Sequence, residues 1–262
     1  MQANSLTTEQ IRALIAKGKL KDAIFKVLGI FCLAVALLVI VLLVSDMVAK
    51  GSERLTLDFF LNFASRRATQ AGILSAWVGS LLVMTVTALA AVPLGVAAGL
   101  YLEEYAKRNW ITEIIEINIT NLAAVPSIVY GFLGVIILVS YLQDSFDMLT
   151  GRSILAGAIL LGIMFIPYLT TICEDSLRAV PSEFKEGSLA LGANRWQTLR
   201  NVTIPAASSG ITAAVLLNIG SIIGETMAVL LVVGNVARLP SPIYNIFGQG
   251  ATFTSVIAGE MG

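Results

Sequence analysis

From Val27 to Val48 the chain runs for 22 residues with a single charged side chain, Asp46. At 1.5 Å per residue a helix of that length crosses a hydrocarbon core of about 30 Å. Lipid offers no hydrogen-bonding groups, so a crossing segment of this kind has to satisfy its own backbone as a helix. Four further apolar runs follow, at roughly 72–101, from beyond Pro126 to near Leu142, at about 154–172 and at about 206–233. Charged residues make up only 13% of the chain, against about 25% in soluble domains, so the ionic surface of a soluble fold is missing. The expected fold is all-α and integral to a membrane, with five visible spans.

The segments between these runs carry the polar residues. Residues 5–17 read as a short amphipathic helix, with Thr7 and Gln10 forming a capping box, Leu6 stapled to Ile11, and Gly18 ending it. It either lies on the membrane surface or simply leads into the first span, and 1–26 form an N-terminal segment ahead of a membrane domain over 27–262. Residues 49–71, with Arg66 and Arg67, form a loop on the far side. Ile111–Asn121 is half polar, so 111–142 reads as a helix broken at Pro126 and followed by a span. Pro93 and Pro167 fall inside spans, and Ile243 to Met261 is too polar and rich in glycine for a sixth. Cys32 and Cys173 both sit in apolar surroundings without metal or disulfide spacing, and each reads as a small buried hydrophobe.

Several functions are excluded. The chain has no histidine, no phosphate-cradling G-x-x-x-x-G-K-[ST] loop and zero net charge. It lacks the commonest general base, a nucleotide site of its own and a basic field for nucleic acid. With alternating sides for the five spans, eleven of the 17 Lys and Arg fall on the side of the N-terminus and six on the other. Basic residues favour the cytoplasm, which puts the N-terminus there together with the polar loop 174–205.

That loop contains Glu186–Pro205, EGSLALGANRWQTLRNVTIP. Pro181 and Ser182 suit a helix start with Ser182 as N-cap. Glu183 and Glu186 fall early in that helix, where its dipole favours acids. Gly192 turns the chain where a side chain would clash, and Asn194 with Gln197 can cap the next helix. Glu186, Gly192, Val202, Ile204 and Pro205 also fit the pattern E-A-A-x3-G-x9-I-x-L-P, with Gly187 and Ser188 in place of the alanines. The stretch therefore resembles the loop by which permeases of ABC importers dock a coupling helix into their ATPase. The resemblance implies contact with that subunit through Glu183, Glu186, Gly187, Ser188, Gly192, Ala193 and Pro205, and a type I importer permease fold.

Val92–Ala106 (VPLGVAAGLYLEEYA), Asn121–Gly134 (NLAAVPSIVYGFLG), Glu174–Gly192 and Gly224–Val229 (GETMAV) are similar to the permeases of the phosphate importer. Within that family the stretch 71–131 looks more like the A-type subunit, whereas Glu174-Asp175 and GETMAV look more like the C-type; the A-type is favoured. The resemblance implies a heterodimer of two homologous permeases, two ATP-binding subunits that hold ATP and Mg, and an extracytoplasmic phosphate-binding protein. It implies no cofactor and no catalysis in this chain, and a place in the inner membrane of a prokaryote. Two departures stand out. The family has six spans, and it carries Arg where this chain has Ser221. Another oxyanion or polar solute, or a non-transporting scaffold that docks an ATPase, therefore stays open.

No Lys or Arg lies in the core of any span. The polar groups left to line a pathway are Asn121, Ser127, Tyr130, Ser221 and Thr226, with backbone N–H groups freed at Pro126. The alternative is that Ser127, Gly131 and Gly134 are small residues for close helix packing. Glu225 is an acid within the fifth run; an Asp at a helix centre costs about 2.5–3.5 kcal/mol on the insertion scale. It is either paired and functional or reaches water at the end of the span.

Overall fold

The computed structural model describes residues 8–65, 67 and 70–260, and the capping residues expected at Leu6 and Thr7, like Arg66 of the outer loop, lie outside them. The chain forms two units, 1–57 and 58–262.

The first unit is α1, Thr8–Gly51, followed by a 3-10 turn over Ser52–Arg54. The helix runs without interruption through Gly18, which therefore does not end it. A glycine inside a helix costs only about 1 kcal/mol relative to Ala. No proline follows, and the apolar run that must be helical in lipid carries the helix onward. Its large apolar side chains from Ile24 to Val48 are exposed. Cys32 is exposed, against the expectation that it is buried. Asp46, the one charge in the run, is paired with Lys50 one turn on at 2.8 Å.

The second unit starts within the short α2 (Leu57–Leu61), at Asp58. The carbonyls of Phe59, Asn62 and Phe63 accept the N–H groups of Ile73, Leu74 and Gly72, and Phe60 accepts the Trp77 indole. These bonds tie the chain after α2 to the start of α3 (Leu74–Glu104) and give the Leu74 N–H a partner. α4 (Trp110–Ala123) follows, and then α5 (Ser127–Leu133) continues through a π-helical turn over Gly134–Val139 into α6 (Ser140–Ser145). The expected break lies between α4 and α5, where Pro126 is extended with ψ 137°. α7 (Ile154–Arg178) crosses next and accommodates Pro167 without breaking. α8 (Ser182–Ala190) and α9 (Arg195–Thr198) reverse the chain, and a π turn over Leu199–Thr203 leads into α10 (Ile204–Gly224). Among the described residues five helices are long and apolar enough to cross a membrane.

The fifth run is not one helix to Val233. Glu225 turns extended, with ψ 124°, and a separate α11 covers Met227–Val232. The remaining chain folds back. Gly248 and Ile246 accept the first N–H groups of α7, from Ile154 and Leu155, and Gly234 and Gly250 form a parallel bridge. The tail then reaches α3, where the Phe253 N–H donates to Ser80, and ends in α12 (Phe253–Glu260).

The central pair is α3 and α7. Gly95 lies against Leu169 and Gly99 against Thr170 and Cys173, so the two helices run parallel in close contact. Thr170 donates to the Gly95 carbonyl across the pair at 3.3 Å, and Cys173 is fully buried beside it, as expected. Small residues admit this approach, and dispersion contacts then hold the helices in lipid. On the other side of α7, Asn218 of α10 donates to the Phe165 carbonyl. A Cβ at Gly99 would sit 2.9 Å from both the Thr170 carbonyl oxygen and the Cys173 Cβ. Gly99→Leu is therefore expected to destabilise the bundle by about 1–3 kcal/mol, read as a lower thermal midpoint of the detergent-solubilised protein; an unchanged midpoint would contradict the packing described.

Candidate functional site

The reversal between α7 and α10 is built from local signals. Pro181, with φ −56° and ψ 136°, occupies the N-cap of α8, one residue earlier than expected, and Ser182 is the first helical residue without a capping side-chain bond. Glu183 lies in the first turn, where the dipole favours it. The helix ends in a Schellman arrangement. The Ala193 N–H reaches the Ser188 carbonyl, the Gly192 N–H reaches the Leu189 carbonyl, and Gly192 takes φ +90°. A Cβ at Gly192 would meet nothing within 4 Å. The glycine is thus required by its backbone conformation, and the steric clash anticipated from sequence is not its reason. Immediately after it, Asn194 and Gln197 form the expected reciprocal capping box, at 2.8 and 2.9 Å.

α8 buries none of its residues. Glu183, Glu186 and Gly187 are exposed, Ala193 is half-buried and Pro205 is exposed at the start of α10. Ser188 is half-buried and its hydroxyl is hydrogen-bonded to Thr198 at 3.0 Å, so it ties α8 to α9 instead of standing free for a partner. Around these residues lie exposed large apolar side chains that the sequence reading passed over: Phe184, Leu189, Trp196 and Leu191, the last 92% exposed. The available signal was bulky apolar residues in a short polar helix that has no buried face. Such a surface is costly in water and marks an interaction site.

At this end of the bundle two cations pair with acids of the long helices. Lys185 of α8 pairs with Glu104 of α3 at 2.6 Å. Arg178 at the end of α7 reaches both Glu103, at 3.3 Å, and Glu174. The Arg178 side also lines a cavity of about 600 Å3 with Arg108, Trp110, Glu113 and Glu116.

The residues expected along a pathway lie at the two helix breaks. Asn121 is exposed in the last turn of α4, and Pro126 and the half-buried Ser127 open α5. Tyr130 is buried and its hydroxyl donates to the Leu122 carbonyl at 2.9 Å. It closes the break, so it is not an available donor as anticipated. Gly131 lies against Leu231 and Ala228, and Gly134 against Leu160 and Val232. These two glycines serve the packing of α5 on α11 and α7. At the second break Ser221 is exposed with its hydroxyl on the Leu217 carbonyl, and Thr226 bonds the Gly224 carbonyl. The Glu225 carboxylate accepts the Ala228 N–H at 3.2 Å, while its backbone carbonyl accepts the Thr254 hydroxyl at 2.7 Å. The acid that lacked a visible partner in the sequence thus caps the N-terminus of α11 and pins the returning tail. Among the described residues no cluster of three or more His, Cys, Asp or Glu is placed to hold a metal ion.

Residues 91–259 match the family described as binding-protein-dependent transport system inner membrane component. The probable ABC transporter permease YqgH of Bacillus subtilis is 39% identical over 191 residues, 73% of this chain and 60% of that protein's length. The phosphate transport system permease PstC of Mesorhizobium japonicum is 31% identical over 274 residues, covering 95% of this chain and 82% of that protein. The PstC of Haemophilus influenzae is 30% identical over 73% of this chain. These phosphate relatives carry the C-type name, so the A-type preference drawn from 71–131 finds no counterpart in them. Among solved structures, the MetNI methionine ABC transporter in an inward-facing form is similar in fold, with TM-score 0.53 at 17% identity over 70% of this chain and 77% of that one. The family match over 91–259 and these relatives agree: the chain belongs to the binding-protein-dependent transport system inner membrane component family and is an ABC importer permease subunit.

Proposed function

We propose that this permease forms half of a translocation pathway for inorganic phosphate and that α8, the Gly192 turn and α9 are the surface through which an ATPase drives it. The likeness to PstC proteins over 95% of the chain supports phosphate. The observation that carries the coupling role is the exposed apolar side chains along the reversal: Phe184 on α8, which buries none of its residues, Leu191 at its C-cap and Trp196 on α9. In this reading the N-terminus and the α8–α9 reversal are cytoplasmic, on the side with eleven of the 17 basic residues. The importer consists of this chain, a second homologous permease, two ATP-binding subunits that hold ATP and Mg, and an extracytoplasmic phosphate-binding protein, in the inner membrane of a prokaryote. ATP binding brings the two ATPases together and carries the coupling helices with them, so that the pathway opens outward; hydrolysis returns it inward.

The pathway itself is assigned to the two breaks, with Asn121, Ser127, Ser221, Glu225 and Thr226 as its polar lining. Weak neutral donors suit a conduit whose specificity rests on the binding protein. A second reading, another oxyanion, is favoured by Ser221, which stands where the family carries Arg and keeps its hydroxyl on the Leu217 carbonyl.

Proteoliposomes holding the complete importer test both. ATP-dependent uptake of phosphate is expected, and uptake of another oxyanion without phosphate would transfer the chain to the second reading. Leu191→Asp places a charge in the centre of the docking rim and is expected to weaken ATPase binding about tenfold or more, measured by co-purification; full retention of the ATPase would contradict the docking role. Gly192→Ala forces a side chain into positive φ at a cost of about 1–2 kcal/mol. It is expected to accelerate amide exchange in the last turn of α8, and unchanged protection there would contradict the Schellman assignment.

A further inference from the structure

Two acids, Glu103 and Glu104, end α3, where the helix dipole disfavours negative charge. Each is held by a cation from a different element. Arg178 of α7 reaches Glu103, but its side chain is 54% exposed. Lys185 of α8 reaches Glu104 with both side chains sheltered, 23% and 18% exposed, so solvent and salt screen this pair far less than an open surface pair.

The pair matters because α8 has little else to hold it. None of its residues is buried, and among the described residues its side-chain bonds to other elements are Lys185 to Glu104 and Ser188 to Thr198. The second of these leads only into the α9 reversal. A cavity of about 400 Å3, lined by Glu104, Lys185, Leu189, Arg195 and Leu199, opens beside the pair, so the space between α8–α9 and the end of α3 is not filled by apolar packing. A displacement of α8 would be absorbed there unless something stiff bridged it. By contrast, α3 is locked to α7 by the Gly95 and Gly99 contacts and the Thr170 hydrogen bond, so a force delivered to its end moves the central pair as a unit.

We propose that the Lys185–Glu104 ion pair is the strut that makes α8 and the end of α3 move as one body, delivering a displacement imposed on α8 to the membrane-spanning helices. This rests on the reading of α8 as the ATPase-docking element. Lys185 and Glu104 are positioning residues, since neither contacts substrate or nucleotide in this scheme. The connection bypasses the 179–181 turn, which joins α8 to α7 covalently.

The test uses the complete importer in proteoliposomes and reads phosphate taken up per ATP hydrolysed, alongside the amount of ATPase that co-purifies. Lys185→Glu and Glu104→Lys are each expected to keep the ATPase bound and hydrolysing while uptake per ATP falls about tenfold; the double exchange K185E/E104K is expected to restore it. Unchanged uptake per ATP in the single variants, or no recovery in the exchange, would overturn the strut. A second pair of variants does not depend on tolerance of reversed charge. Lys185→Cys with Glu104→Cys, joined by a short thiol cross-linker, is expected to transport about as well per ATP as the unmodified protein, because the two ends move together; arrest on cross-linking would overturn the proposal. Failure of the unaltered chain to retain an ATPase at all would instead refute the docking reading.

Discussion

Every backbone group inside a bilayer has to find a partner within the protein, and the rest of this structure depends on how two breaks meet that requirement. The first lies between α4 and α5 and the second between α10 and α11. At the first, the Tyr130 hydroxyl reaches back to the Leu122 carbonyl. At the second, the Glu225 carboxylate takes an N–H of α11 and the Thr254 hydroxyl takes the Glu225 carbonyl. Irregular backbone is tolerated at membrane depth only where protein or a water-filled cavity surrounds it. Both breaks are sites of tertiary contact: Gly131 of α5 and Gly134 of the π turn after it lie against α11.

The same logic explains the returning tail. Its carbonyls at Ile246 and Gly248 satisfy the first N–H groups of α7, and its Phe253 N–H is taken by Ser80. Gly79 allows the approach, because a Cβ there would lie 2.0 Å from the Ala251 carbonyl oxygen. One end of the α3–α7 pair is thus held by backbone hydrogen bonds from the tail, and the other by ion pairs to Arg178 and Lys185. Hydrogen bonds from a packed backbone are rigid. The ion pairs join the other end to α7 and α8, and this is the end at which the proposed drive enters.

What was legible in the sequence was local. The Asn194–Gln197 capping box, the break at Pro126 and the five spans each follow from residues within a few positions of one another. Gly192 was identified, although through a clash that is absent; its positive φ serves helix termination. The features that stayed hidden join distant positions. Glu225 finds Thr254 29 residues on, and Lys185 finds Glu104 81 residues back. No pattern of composition or spacing encodes such pairs. Tyr130 shows the complementary case: its hydroxyl is polar in sequence and already occupied in the fold. The exposed apolar side chains of Phe184, Leu191 and Trp196 were legible in principle, since bulky apolar residues are conspicuous in a polar loop.

The central claim is that the α8–α9 surface faces an ATPase while the opposite end of α7 faces away from it. A photo-reactive residue placed at Leu191, and separately at Leu149 in the 99% exposed loop position near the start of α7, tests this in the assembled importer. The account predicts that irradiation joins position 191 to an ATP-binding subunit and that position 149 never captures one. Capture of the ATPase from position 149, or its absence at 191 in a complex that hydrolyses ATP, would contradict it.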